Sequence, residues 1–254
     1  MLSIGFIFKN SWEILKKNSF FYLSFSVLAL LLGGIYSLFF VGNFNQLYKL
    51  YSLLVLHKYI PQTNHSLSVI IITSIAVLMY FILSIMLIQG TVKILDGQTI
   101  TKDNIKPLFS SSLKVCIPFI IVSLICSLLT TIGLILLIIP GIIISIALFL
   151  STYYVATRDK GIIESLKLSY EKTKGEKMSL IIPFLSISFV LMVPYWIFKF
   201  SLTHFNIGLI LLSLSIYLFS ILYTNICSIN LQYFIANKED KREEINNFVP
   251  KELI

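Results

Sequence analysis

The chain has 254 residues, 57% hydrophobic and 13% charged, with a net charge of +8. A water-soluble domain usually carries about 25% charged residues, so this composition excludes a soluble enzyme and points to a bilayer as the solvent. The positive balance is the ordinary topogenic signal of a membrane protein and excludes nucleic acid as the partner it would suggest in a soluble one.

All twelve acidic residues and seventeen of the twenty Lys and Arg lie in four stretches: Met1–Asn18, Gly90–Lys114, Arg158–Lys177 and Asn237–Ile254. Long apolar runs separate them, and charge pushed to the ends of such runs is what a hydrocarbon core demands. The predicted class is all-α: a polytopic membrane protein with six transmembrane helices and amphipathic interfacial helices on the cytoplasmic side. It forms one membrane domain over 1–236 and a polar cytoplasmic tail over 237–254.

Ser3–Lys17 (SIGFIFKNSWEILKK) is amphipathic. Ile4, Ile7, Phe8, Ser11, Trp12, Ile14 and Leu15 project to one side at about 100° per residue, and Lys9, Glu13, Lys16 and Lys17 to the other. A basic helix with Trp at its edge is expected to lie in the interface plane. Span 1 follows at 19–41. It exceeds the about 7–15 apolar residues of a signal sequence and is read as a retained span. Gly33–Gly34 within it suits close helix approach.

The loop Gly42–Ser66 is mixed, and its middle, Leu47–Tyr59, is apolar enough to rest on the bilayer. Span 2 is placed at 67–87. Asp103 is expected to cap a short helix running to Ser112. Val115–Thr157 carries no charge and is too long for one crossing of about 20 residues. It is read as span 3 (115–138) and span 4 (141–157), with Pro140–Gly141 as the turn between them, since Pro breaks the preceding helix and Gly frees the backbone.

Gly161–Gly175 (GIIESLKLSYEKTKG) is expected as a second surface helix. Asp159 would cap its start, Gly175 would end it, and Ile162, Ile163, Leu166, Tyr170 and Thr173 would face the membrane. Span 5 is placed at 178–198, kinked by Pro183 and Pro194, and span 6 at 208–230. With both termini inside, only Lys49, Lys58 and Lys199 of the basic residues fall outside, so the positive-inside rule selects cytoplasmic N and C termini.

The segment LLIIPGIIISIALFLSTYYVATRDKGIIESLKLSYEKTKGEK, Leu136–Lys177, resembles a family of bacterial integral membrane proteins. That family includes the membrane domain attached to some glycerophosphodiester phosphodiesterases, together with stand-alone relatives of unassigned function. The resemblance rests on Pro140–Gly141, on Tyr153–Tyr154, and on Ser165, Leu166, Ser169, Thr173, Lys174 and Gly175, which fall in an "ALxxSxxLTKG"-like helix. FKNSWEILKKN, DGQTITKDNIKPLF and NLQYFIANKEDKRE echo it. The resemblance implies six helices in a bacterial cell membrane. It carries over no catalytic residue, because the phosphodiesterase activity of the fused members resides in a separate soluble barrel that this chain is not expected to contain.

The residues themselves point to no chemistry of the enzyme kind. The predicted span cores hold no charge, which argues against an ion-coupled transporter. Cys116, Cys126 and Cys227 lack metal or disulfide spacing and read as packing residues. His57, His65 and His204 fall outside the membrane without metal-site spacing. Asp96, Asp103 and Glu164 read as counter-charges among lysines.

Polar residues do occur within spans: Ser123, Ser127, Thr130 and Thr131; Ser186 and Ser188; and Ser213, Ser215, Ser220, Thr224, Asn225, Ser228 and Asn230. Two readings stand, interhelical packing or a polar groove between spans 3, 5 and 6 centred on Asn225 and Asn230. Lys9, Lys16, Lys17, Lys167 and Lys174 are candidate contacts to anionic lipid, each worth about 1 kcal/mol near the surface. They sit on surface helices that could form a collar around the bundle. The expectation is a non-enzymatic scaffold or accessory subunit with no cofactor and no metal, partnered by the bilayer and by a membrane protein or transporter. A small transporter or lipid-handling protein is the alternative.

Overall fold

The computed structural model describes residues 4–25, 27–28, 67–158, 160–175, 177–203 and 207–237. Among them every regular element is a helix: α1 (Ile4–Lys17), α2 (Leu67–Leu95), α3 (Lys102–Leu136), α4 (Ile138–Ala147), α5 (Ser151–Arg158), α6 (Ile162–Thr173), α7 (Lys177–Thr203) and α8 (Ile207–Ala236). Helical turns continue after α1 over residues 19–25. Among the described residues five stretches are long and apolar enough to cross a membrane: Ser74–Leu95, Asp103–Leu136, Ile138–Arg158, Ser179–Ser201 and Leu212–Ala236. Most of predicted span 1, the loop 42–66 and the tail after Asn237 lie outside the described residues.

Several elements differ from their sequence-based bounds for identifiable reasons. The short helix expected at Asp103–Ser112 is the opening of α3, whose 35 residues make a rod about 52 Å long against a hydrocarbon core of about 30 Å. Its length exceeds what one crossing needs, with the charged first turns at one end. Pro107 lies within this helix, yet neither it nor the lysines stop it, because a proline removes one hydrogen bond and a local helix tolerates that when its neighbours hold.

The chain reverses at Leu137, in extended conformation, three residues before the expected Pro140–Gly141 turn. Pro140 and Gly141 stand in the first turn of α4 instead, where a missing N–H costs nothing because the first amides of a helix have no partner within it. What Gly141 permits is close approach. A Cβ there would lie 2.6 Å from the backbone nitrogen of Leu134, and a Cβ on Gly133 would lie 2.9 Å from the Cα of Gly141. The α3–α4 hairpin is closed by this pair of glycines.

At the other end of α2, Gly97 (φ 83) supplies the left-handed residue that ends the helix. Its N–H bonds Ile94 O and the Gln98 N–H bonds Lys93 O, the Schellman arrangement. Helix α6 has Gly161 at its N-cap; Asp159, expected to cap its start, lies outside the described residues.

One core joins α2, α3, α5 and α8 around Ile85, Val122, Leu150, Tyr153 and Cys227, with Ile7 of α1 inserted into it. Helix α7 packs on α8 and more lightly on α4, while α3 packs chiefly on α2, α4 and α5.

Candidate functional site

The described parts of the charged stretches meet at one end of the bundle. Helix α1 lies along the C-terminal half of α8, with Phe6 against Phe234 (5.4 Å between ring centres), Phe8 against Tyr223 (6.0 Å) and Trp12 against Phe219 (6.1 Å). The Tyr233 hydroxyl of α8 donates to the Asp96 carboxylate at 2.7 Å, and Arg158 Nη2 donates to Asn237 Oδ1 at 2.6 Å. The ends of α2, α5 and α8 and the whole of α1 therefore share one level.

Three sets of polar side chains hold this end together. The first centres on Asn230, fully buried beneath α1. Its Nδ2 donates to Ser11 Oγ (2.9 Å) and Ile7 O (3.3 Å), and its Oδ1 accepts from Asn10 Nδ2 (3.2 Å). Tyr223 adds a bond from its hydroxyl to Phe8 O at 2.9 Å. The predicted apolar face of α1 is real, for Ile7, Ser11, Ile14 and Leu15 are buried, but what it covers is α8.

The second set centres on Gln89 of α2. Its Nε2 donates to Ala156 O (2.7 Å) and Ser111 Oγ (3.2 Å), and its Oε1 accepts from Ser112 Oγ (3.3 Å). One amide thus joins three helices. Close by, the Tyr22 hydroxyl donates to Thr91 Oγ1 (3.2 Å), tying the turns after α1 to α2.

The third set fills a break. Residues 148–150 interrupt the stretch from α4 to α5 and leave backbone groups without helical partners. Ser169 Oγ donates to Ala147 O at 2.7 Å and accepts from the Leu150 N–H at 3.1 Å, and Gln232 Nε2 donates to Phe149 O at 2.7 Å. Irregular backbone in a membrane protein is tolerated where protein satisfies it, and α6 and α8 do so here. Helix α6 reaches the break through the buried stripe Ser165, Ser169 and Thr173. Of the stripe expected to face the membrane, Thr173 is buried against protein, whereas Ile163, 82% exposed, and Tyr170, half-exposed, turn outward, because small hydroxyl residues let α6 sit close on α5. Of the residues that carried the resemblance, Ser165, Ser169 and Thr173 form this contact.

The candidate groove residues do not converge. Asn225 is exposed while Asn230 is buried, since five residues turn a helix by about 140°. Ser186 and Ser188 donate to Ile182 O and Phe184 O of their own helix, and Thr224 donates to Ser220 O. Ser201 and Ser213 share a hydrogen bond between α7 and α8 at 2.7 Å, far from the charged end. The hydroxyls of span 3 lie on α3, which packs chiefly elsewhere.

Lys9, Lys16, Lys17, Lys167 and Lys174 are all exposed. Lys16 lies over the Trp12 ring at 5.4 Å, and Lys167 stands 4.0 Å from Glu171. Glu164 pairs with Lys160 at 2.6 Å. Among the described residues no three His, Cys, Asp or Glu side chains gather as metal ligands; His57, His65 and His204 lie outside those residues.

One cleft opens at the charged end between α2, α3 and α5, with a volume of about 490 Å³. Lys93, Asp96 and Gln98 border it from α2 and the turn beyond, Ser111 and Lys114 from α3, and Thr157 from α5, with Gln89 at its edge. Sequence reasoning passed over Gln89 and Lys93, although both sit in the last turns of α2, where a polar residue four before a lysine marks one face. Compared with family models, with curated proteins and with solved structures, the chain matches none.

Proposed function

We propose that the protein is a non-enzymatic scaffold or accessory subunit of a bacterial cytoplasmic membrane, with six spans and both termini in the cytoplasm. The carrying observation is the use made of buried amides. Asn230 and Gln89 each end on atoms of another helix, and Gln232 on the break between α4 and α5, so these buried amides are taken up by assembly. In addition, only 11% of the apolar stretch of α7 and 17% of that of α3 is buried, which leaves two long helices bare toward lipid or a partner span.

Parity supports the sixth span. Helix α1 and the end of α2 sit together at the charged end, whereas Leu67 lies at the far end of the 29-residue α2, about 43 Å away. Leu67 therefore stands at the opposite end of the bundle from α1. An even total of crossings then returns the C-terminal end of α8 to the side of α1, and the positive-inside rule makes that side cytoplasmic.

The test is gentle purification from the native membrane followed by mass spectrometry. A scaffold retains a membrane-protein partner in fixed ratio, and retention falls when Phe189 and Met192, both exposed on α7, are changed to Ala. A lone chain carrying one defined small molecule would replace this reading with the second one, a lipid-handling or transport protein, which the cleft beside Lys93 and Lys114 favours.

A further inference from the structure

We propose that the cleft between α2, α3 and α5 binds a phosphate group carrying one negative charge, a site independent of the scaffold reading. Two lysines border it, Lys93 and Lys114, together with one carboxylate, Asp96. That carboxylate accepts the Tyr233 hydroxyl at 2.7 Å, so it is held at the α8 side and the cleft keeps a net positive charge. Lysine is a strongly hydrated point charge on a flexible stem, suited to a phosphate whose oxygens point in several directions.

The neutral lining fits the same ligand. Gln89, nine-tenths buried, is fixed by Ala156 O, Ser111 Oγ and Ser112 Oγ. The Ser111 hydroxyl accepts the Gln89 N–H and so keeps its own proton to donate into the cleft. Gln89 and Lys93 are four residues apart on α2, and Ser111 and Lys114 three apart on α3, so Gln89 holds the Ser111 hydroxyl in place while each helix brings one ammonium to the same side of the cleft.

Lys114 is also in helical register with Ile117 and Ile121, both exposed along α3. A phospholipid could place its phosphate between the lysines and run an acyl chain up this face. A soluble phosphate would use the lysines and Ser111 alone.

The experiment uses the full chain in phosphatidylcholine nanodiscs, with short-chain phosphatidylglycerol and inorganic phosphate as probes and native mass spectrometry as the readout. One phosphate-bearing molecule binds per chain. Changing both Lys93→Gln and Lys114→Gln weakens binding by about tenfold or more, while Lys167→Gln with Lys174→Gln changes it by less than about twofold. Lys93→Arg with Lys114→Arg retains binding and shows that charge at these positions matters. Binding of phosphatidylglycerol that inorganic phosphate does not displace assigns the lipid; displacement assigns a soluble phosphate. The proposal is overturned if neither probe binds, if the double Gln variant melts and binds like the parent, or if the Lys167 and Lys174 changes weaken binding equally.

Discussion

Asn225 and Asn230 look alike in the sequence and differ in the fold, and substitution separates them. Asn230→Leu leaves Ile7 O and Ser11 Oγ beneath α1 without their donor. Loss of a buried partner costs about 1–3 kcal/mol, so the variant is expected to melt earlier and to release α1 to limited proteolysis. Asn225→Leu, at an exposed position, is expected to stay within about 0.5 kcal/mol of the parent. Equal melting of the two would show that α1 does not depend on Asn230. Ser169→Ala strips both Ala147 O and the Leu150 N–H of their partner and is expected to cost about 1–3 kcal/mol, read as a fall in melting temperature that Ser188→Ala does not match. The helical angle between the two asparagines was available in the sequence, but the identity of the covering element was not. Burial of a single amide depends on which helix arrives from more than 200 positions away, and Asn10 and Asn230 meet across such a separation.

The elements were legible where periodicity or a charge boundary marks them. Helix α1 runs over Ile4–Lys17, close to its expected bounds, and α6 ends where Lys174 and Gly175 announce it. The α3–α4 reversal was expected at the proline, yet it forms where the two backbones approach most closely. Gly133 supplies half of that approach and has no breaker beside it to signal a turn. The hairpin yields a contrast between glycines. Gly141→Ala places a methyl 2.6 Å from the Leu134 backbone nitrogen and is expected to cost about 1–3 kcal/mol through overpacking. A Cβ on Gly161 meets nothing within 4 Å, and Gly161→Ala is expected to leave stability unchanged or slightly raised. Thermal unfolding of both variants in detergent decides; a neutral Gly141→Ala would mean the hairpin opens without penalty. The break at residues 148–150 had no signature, because Leu148, Phe149 and Leu150 are ordinary helix formers. Tertiary partners on α6 and α8 make the interruption affordable, and a local reading contains neither.

At the scale of the whole molecule, the clustering of charge in four stretches becomes the clustering of helix ends on one face. Tyr233–Asp96 and Arg158–Asn237 record that meeting directly. Single cysteines placed at Lys16, Lys114 and Lys167, with the native cysteines replaced, are expected to react with a membrane-impermeant maleimide from the same side. On the proposed orientation all three are expected to label in inverted vesicles and none in intact cells. Labelling of Lys16 and Lys114 from opposite sides would refute the shared face. Function was less legible than fold, since the same lysines that orient a membrane protein also border its cleft, and composition alone does not distinguish the two uses.

The repaired break between α4 and α5 has a mechanical meaning. Its carbonyls at Ala147 and Phe149 are gripped from two directions, by Ser169 on α6 and by Gln232 on α8. Such a joint acts as a pinned hinge. A force that tilts α6 cannot be absorbed locally; it must either pull the lower part of the α4–α5 rod with it or unpin Ser169 and expose bare backbone. Because the second pin belongs to α8, which also carries α1, the joint links α6 to α1 through α8.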